Sequence, residues 1–297
     1  MSLKTFLDNK DVRARFSEEF PKPKFGVKRE ILASPVTKHY SLVGTAFDYL
    51  MRFYIKWLNP EAITWKWVAE NAIRVFAATI EGALCFDADS HETYIELDLM
   101  SENDRRLLKK FEDIIFVAKT NYSEYLESRV MNDELIRSAI LLAQLDFIVR
   151  AGIIDENFGV IDDSDVTDLR KLISIINPDS FKAKELCLLN PTFGKASKLI
   201  GGADADLVID NLLIDIKTTA KLEFKRDHFN ELIGYYTLYK IGGIPDAPVE
   251  PKMENLGIYY SRYGELYTFP VTSVIPLSKF PSFVEWFKER AAQEDRI

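Results

Sequence analysis

Gly201–Thr219 reads GGADADLVIDNLLIDIKTT. Two strand-like runs flank Asp210-Asn211, residue types that tolerate the positive φ of a two-residue hairpin turn. With that turn, Ile209 faces Leu212, Leu207 faces Ile214 and Ala205 faces Ile216. This face is wholly apolar, which predicts burial. The other face carries Asp204, Asp206 and Val208 opposite Leu213, Asp215 and Lys217. There Asp206 lies across from Asp215, and Asp204 across from Lys217. Directly opposed carboxylates repel. A hard divalent cation turns that repulsion into coordination, because Mg²⁺ takes one or two carboxylates plus waters and phosphate. Lys217 projects from the same face, placed to orient or help deprotonate a water or to neutralise developing charge. The plainer alternative is a solvated hairpin face on which Lys217 pairs with Asp204.

An Asp followed on the hairpin by Asp-Ile-Lys resembles the PD-(D/E)XK nuclease superfamily, and within it the RecB-like branch. That branch joins a GxxD motif to DxK followed by Thr or Ser. Gly201-Gly202-Ala203-Asp204 is similar to the first and Asp215-Ile216-Lys217-Thr218 to the second. The motif points to Asp204 and the cross-strand register to Asp206, so both stand as metal-site candidates. Upstream, Gly44-Thr45-Ala46-Phe47-Asp48 resembles the branch's GTxxH segment, with Asp48 in place of the metal-binding His. A carboxylate is a hard donor suited to Mg²⁺. The alternative use of Asp48 is an ion pair with Arg52 one helical turn on. Downstream, Glu231-Leu232 with Tyr235 resembles QLxxY, Glu standing for Gln. In the family this pair supports the site and contacts substrate. Simple packing of Tyr235 with Glu231 exposed is the other use.

The four motifs follow the family's order. The resemblance implies an α/β fold: a restriction-endonuclease-like mixed β-sheet flanked by helices, with a largely helical N-terminal half. It implies a Mg²⁺- or Mn²⁺-dependent DNA nuclease that hydrolyses phosphodiester bonds with a metal-activated water. Asp48, Asp204, Asp206, Asp215 and the Ile216 carbonyl are then the metal candidates, with Lys217, Glu231 and Tyr235 completing the catalytic set. DNA is the expected partner, beside a protein partner or a second copy of the chain. Two rivals stand: a catalytically inactive DNA-binding or scaffold protein of the same fold, and an enzyme turning the same acidic face to another phosphate substrate.

The chain has 297 residues, 47% of them hydrophobic, enough for a substantial core. They read as one nuclease domain, with 58–180 a helical insertion or subdomain and 185–297 the α/β catalytic core. Cys85 and Cys187 form no CxxC, which suits a reducing cytoplasm and excludes a Cys₄ zinc or iron–sulfur site. The charged N-terminus shows no signal peptide, and no apolar run approaches membrane-spanning length. A net charge of −8 weighs against a protein coated by nucleic acid. A local basic groove on an acidic body remains compatible with a nuclease. Lys182, Lys184, Lys195, Lys198, Lys217, Lys221, Lys225 and Arg226 cluster around the hairpin in sequence.

Helices are expected over 4–20, 41–59, 61–80, 101–127, 132–151, 164–176, 226–240 and 282–294 from apolar spacing, caps and breakers. Ser101 with Asp104 three residues on suggests a capping box. The aromatics of 61–80 read as core rather than as base-stacking platforms. Residues 81–100 suggest a loop with a short strand. Leu186–Leu189 reads as a strand, and 256–271 as a second hairpin turning at Tyr263-Gly264. GxxxxGK[ST] and GxSxG are absent, and His91-Glu92 lacks the second His of HExxH. The three histidines, His39, His91 and His228, show no metal-ligand spacing.

Overall fold

The computed structural model describes residues 2–87, 92–245 and 247–294. His91 lies outside them. The helices are α1 Leu3–Asp8, α2 Lys10–Glu19, α3 Tyr40–Leu58, α4 Ala72–Ala78 and α5 Glu102–Ser128. They continue with α6 Asp133–Ala151, α7 Asp163–Ser174, α8 Lys195–Lys198, α9 Arg226–Gly242 and α10 Phe280–Glu294. The strands are β1 Ile63–Thr64, β2 Leu84–Asp87, β3 Glu92–Ile95 and β4 Cys187–Leu189. After them come β5 Leu207–Ile209, β6 Leu212–Lys217, β7 Asn255–Tyr260 and β8 Glu265–Pro270. Among the described residues no helix is long and apolar enough to cross a membrane.

The chain divides into two compact units. One comprises residues 1–34, 58–65 and 175–297, the other 35–57 and 66–174. This differs from the expected insertion over 58–180. Residues 1–34 join the sheet unit because Phe6 packs edge-on against Phe287, and Phe16 against Phe283, both on α10. The expected single helix over 4–20 is broken at Asn9, whose extended backbone ends α1 and begins α2. Its side chain turns away to donate to Glu294 of α10. The expected helix over 61–80 also breaks up. Ile63 and Thr64, β-branched and strand-prone, pair with Leu188 and Leu189. Only Ala72–Ala78 is α-helical there.

The sheet unit holds a mixed six-stranded sheet flanked by helices, in the order β1-β4-β5-β6-β7-β8. β1/β4 and β6/β7 pair in parallel, and the other neighbours are antiparallel. The central hairpin has the expected register over three pairs: Ile209–Leu212, Val208–Leu213 and Leu207–Ile214. Of its two turn residues only Asp210 has positive φ, at 52°. One face of the sheet, with Leu188, Val208, Leu213, Leu256 and Ile258, packs in one core with Phe6, Phe16, Phe229, Leu232 and Phe283 of the helices. Leu207, Ile209 and Ile214, of opposite parity, are buried as well. With β6 buried on both faces, the half-solvated hairpin does not occur.

Beyond Leu207–Ile214 the expected pairing stops. Ala205/Ile216, Asp206/Asp215 and Asp204/Lys217 are not ladder pairs. The chain bends at Asp206, and 204–206 turn to the β4 side: Ala205 N donates to Pro191 O, Asn190 N to Asp206 O, and Asp204 bridges Thr192. Ala203 and Ala205 accordingly lie in the helix-facing core beside Val208, not with Leu207. The second hairpin forms as expected, β7 and β8 joined through Ser261–Tyr263 and a left-handed Gly264.

The other unit is helical, with one ribbon of β2 and β3. The Ser101–Asp104 capping box opens α5, and Gly152, φ 68°, closes α6. Trp67 packs among Tyr49, Phe53 and Tyr122, the core role expected of it.

Candidate active site

The bend at Asp206 creates the site. A ladder pair would have given Ile216 N–H a main-chain acceptor. Instead the Asp206 carboxylate takes it, Oδ2 accepting at 2.7 Å. Asp206 is thereby fixed beside the C-terminal half of β6. Asp215, in the middle of that half, is 2% exposed. Parallel pairing with Ile258 on β7 and the covering helices leave it no solvent.

Lys217 reaches back from the end of β6 and bridges two carboxylates. Its Nζ donates to Asp215 Oδ1 at 3.0 Å and to Glu231 Oε2 at 2.7 Å. Asp215 Oδ2 lies 2.9 Å from the same nitrogen. It is nevertheless a buried oxygen with no aligned hydrogen bond among the described residues. Glu231 is presented by the second turn of α9. Tyr235, one turn further, donates its hydroxyl to Glu231 Oε1 at 3.4 Å and stacks its ring on Phe193. Glu231 is therefore not a bare surface residue.

The electrostatics follow from this crowding. Burial pushes the Asp215 carboxyl well above the usual range; Glu231 and Asp206 add to the rise and Lys217 opposes it. Burial also raises Asp206, with Glu231 and Asp204 repelling it, against the pull of Lys217 and the Ile216 N–H. For Lys217 burial disfavours the cation, but Asp215, Glu231 and Asp206 together outweigh it and raise its pKa. Glu231 is depressed: burial works against its charge, and the Lys217 ammonium overcomes that. Tyr235 is held protonated by burial and by the surrounding carboxylates. A lysine so held is an electrostatic stabiliser, not a base at neutral pH.

Asp204, Asp206, Asp215, Ile216, Lys217, Glu231 and Tyr235 thus gather in one unit. Asp206 is the carboxylate that presses on Asp215, and Asp204 in turn presses on Asp206. This resolves the geometry in favour of Asp206 as the neighbour of Asp215, through a bend rather than a register. Asp48 lies on α3 in the other unit, where Arg52 Nε donates to its backbone carbonyl at 3.0 Å.

Two residues join that the sequence motifs do not mark. His228, one turn before Glu231, is pushed down to about 4 by burial and by Lys217. Its Nδ1 is buried without a hydrogen-bond partner among the described residues. The spacing of three from Glu231 was the available signal. Lys4 of α1 acts electrostatically on Glu231. Nothing local in the sequence ties it to a helix more than two hundred residues away. Of the basic cluster, Arg226 is internal, donating to the Phe16 and Phe20 carbonyls at the end of α2. Lys182, Lys184, Lys195, Lys198, Lys221 and Lys225 are exposed.

Among the described residues no group of three or more His, Cys, Asp or Glu side chains is arranged to hold a metal ion. Mg²⁺ needs fewer: one or two carboxylates suffice when water and phosphate complete the shell. Asp215 Oδ2, without an aligned hydrogen bond among the described residues and beside Asp206, has the chemistry of such a ligand. No family model, no curated protein and no solved structure matches the chain.

Proposed function

We propose that the chain is a metal-dependent deoxyribonuclease of the PD-(D/E)XK type, its sheet a restriction-endonuclease-like core with motifs in the RecB-like order. One observation carries the reading. A carboxylate lies buried in the central strand with both its oxygens at one ammonium, pressed by a second and a third carboxylate and flanked by that lysine kept cationic. A buried ion pair kept for stability would not set further carboxylates against the first. Strongly shifted groups gathered on one strand and one helix are what chemistry requires instead.

Asp206 and Asp215 would hold one Mg²⁺ or Mn²⁺, with Asp204 and the Ile216 carbonyl as the adjoining oxygen donors. When bound, the cation supplies Lewis-acid polarisation of the phosphoryl group and lowers the pKa of a water. Lys217 then faces the phosphate as a fixed positive charge, where charge develops in the transition state. Glu231 holds the Lys217 ammonium at the far side from Asp215, and the Tyr235 hydroxyl holds Glu231. The exposed lysines of the same unit give the phosphate backbone a sequence-independent attraction.

The test is cleavage of end-labelled linear DNA, single- and double-stranded, with Mg²⁺ present. Wild type is expected to cut at least one form. Lys217→Ala is expected to lower the rate by about 100-fold or more, by analogy with loss of one transition-state donor, while its circular dichroism stays unchanged. Equal cleavage by the two proteins would remove Lys217 from the chemistry. Inert wild-type protein on both DNA forms would favour a binding or scaffold role for the same fold.

A further inference from the structure

Glu231 has two basic neighbours that the proposed reaction does not use. One comes from α9 itself. Residues 228, 231 and 235 are spaced three and four apart and share one stripe of the helix. His228 therefore borders Glu231 on the side away from Tyr235. Its ring is half-buried, and Nδ1 is enclosed without a hydrogen-bond partner among the described residues. Burial and the nearby Lys217 keep the ring neutral at neutral pH. A neutral imidazole carries one N–H donor and one acceptor. Leaving them unused inside a fold costs stability, so an idle ring at this place asks for a partner.

The other neighbour comes from α1. Leu3, Phe6 and Leu7 are buried and pin this helix to the sheet unit, while Lys4 is exposed. Gly234 is what lets α1 come so close to α9: a β-carbon there would stand 2.9 Å from Leu3 Cδ1. Gly234 lies three residues after Glu231 and directly before Tyr235, so the first turn of α1 runs alongside the stripe that carries the site. Lys4 forms no ion pair among the described residues, and Asp8, one turn on, is engaged by Arg13. The Lys4 charge still reaches Glu231 and helps to hold that carboxylate ionised.

We infer that Lys4 and His228 form a second phosphate subsite, which holds the backbone phosphate next to the one being cut. The inference rests on the nuclease reading for its substrate and adds two residues that the motifs leave out. Glu231 does not repel that phosphate, because Lys217 takes its Oε2 and the Tyr235 hydroxyl its Oε1. Asp227, the other acid near His228, is held by Arg13 at 2.9 Å. Lys225 adds a positive charge beside the ring. The local balance thus favours an anion. Lys4 supplies a point charge and His228 an N–H donor, a pairing that positions a phosphate without reading a base.

The probe is octathymidylate, titrated into the full-length isotope-labelled protein at neutral pH in EDTA, so that binding is read without cleavage. Wild type is expected to bind. The ring nitrogen signals of His228, assigned by their loss in His228→Gln, are expected to move as it does. Lys4→Gln should weaken binding about fivefold and lower the slope of log K against log salt by about 0.7, the value for one phosphate contact on a single strand. His228→Gln should also weaken binding about fivefold, as for one neutral hydrogen bond, with the salt slope kept. Unmoved ring signals, or unchanged affinity in either variant, would overturn the inference. The ring signals separate contact with the strand from a merely structural role of His228. Cleavage by wild type is assayed apart, with Mg²⁺. If wild type cuts and the variants bind as it does, only the subsite is lost. If wild type neither cuts nor binds octathymidylate, the nuclease reading and the subsite fall together.

Discussion

Burial works against the charge on Asp215. Burial raises its carboxyl well above the usual range even with an ammonium at hydrogen-bond distance. Asp215→Asn keeps the shape, removes the charge, and leaves Lys217 its partner Glu231 at 2.7 Å. The expected outcome is a gain of about 1 kcal/mol in stability, typical of relieving strain at a functional site. A melting temperature a few degrees higher, together with lost cleavage, would show it. A lower melting temperature would mean that the carboxylate serves the fold. His228 gives one separable pH dependence. Its pKa falls to about 4 in the fold from an ordinary 6.5, through burial first and then Lys217. Between those values the unfolded chain binds a proton that the folded chain refuses, so the part of the stability that His228 governs falls as pH drops from 6.5 toward 4 and is flat above. His228→Gln lacks that loss. Its melting temperature should gain on wild type as the buffer is taken from about pH 7 to about pH 4, and parallel curves would contradict the assignment. Asp215, Lys217 and Glu231 were legible in the sequence because DxK and the α9 spacing are local patterns. Between Asp204 and Asp206 the sequence left both open, and the fold brings Asp206 against the Asp215 strand by a route that the pattern did not contain. The register that suggested Asp206 breaks at that residue, and the carboxylate enters the sheet in place of a main-chain carbonyl.

The central hairpin is held at its turn as much as along its ladder. Asp210 adopts φ 52° and its carboxylate accepts from the N–H groups of Lys184, Glu185 and Leu186. Asp210 N in turn donates to Leu186 O. One residue thus fixes both the turn and the entry into β4. Burial opposes the charge on Asp210, and the three amide bonds overcome that and lower its pKa. Its contribution is therefore present above the ordinary 3.8 and lost as pH falls through the lowered value. Asp210→Ala removes the acceptor and leaves a β-carbon in a left-handed conformation. A loss of about 2–3 kcal/mol is expected from charge-assisted bonds and backbone strain together. Denaturant unfolding would measure it, and a change below about 0.5 kcal/mol, the usual range of a surface site, would contradict this role. The Asp-Asn pair announced the turn, whereas its amide partners lie some 25 residues upstream and left no local mark. The same limit explains the helix expected over 61–80. Its apolar spacing fits a helix, but Ile63 and Thr64 find strand partners more than a hundred residues away.

At the scale of the molecule, the α/β class, the helical middle region and most helix ends were readable, because caps such as Ser101 and stops such as Gly152 act locally. The division into units was not. Residues 1–34 belong with the sheet through aromatic contacts with α10, at the other end of the chain. Charge is divided in the same way: the acidic excess sits in 75–104, while six exposed lysines belong to the unit that carries the proposed site. An acidic protein overall is thus compatible with a phosphate-binding face. Whether that face is a metal-dependent site is decided by calorimetric titration of Mn²⁺ and Mg²⁺ into wild type and Asp215→Asn, each with a non-cleavable DNA present. One cation site in wild type, lost in the variant, is the expected result. Equal binding by the two proteins, or no binding by wild type, would contradict the assignment of Asp215 as a ligand.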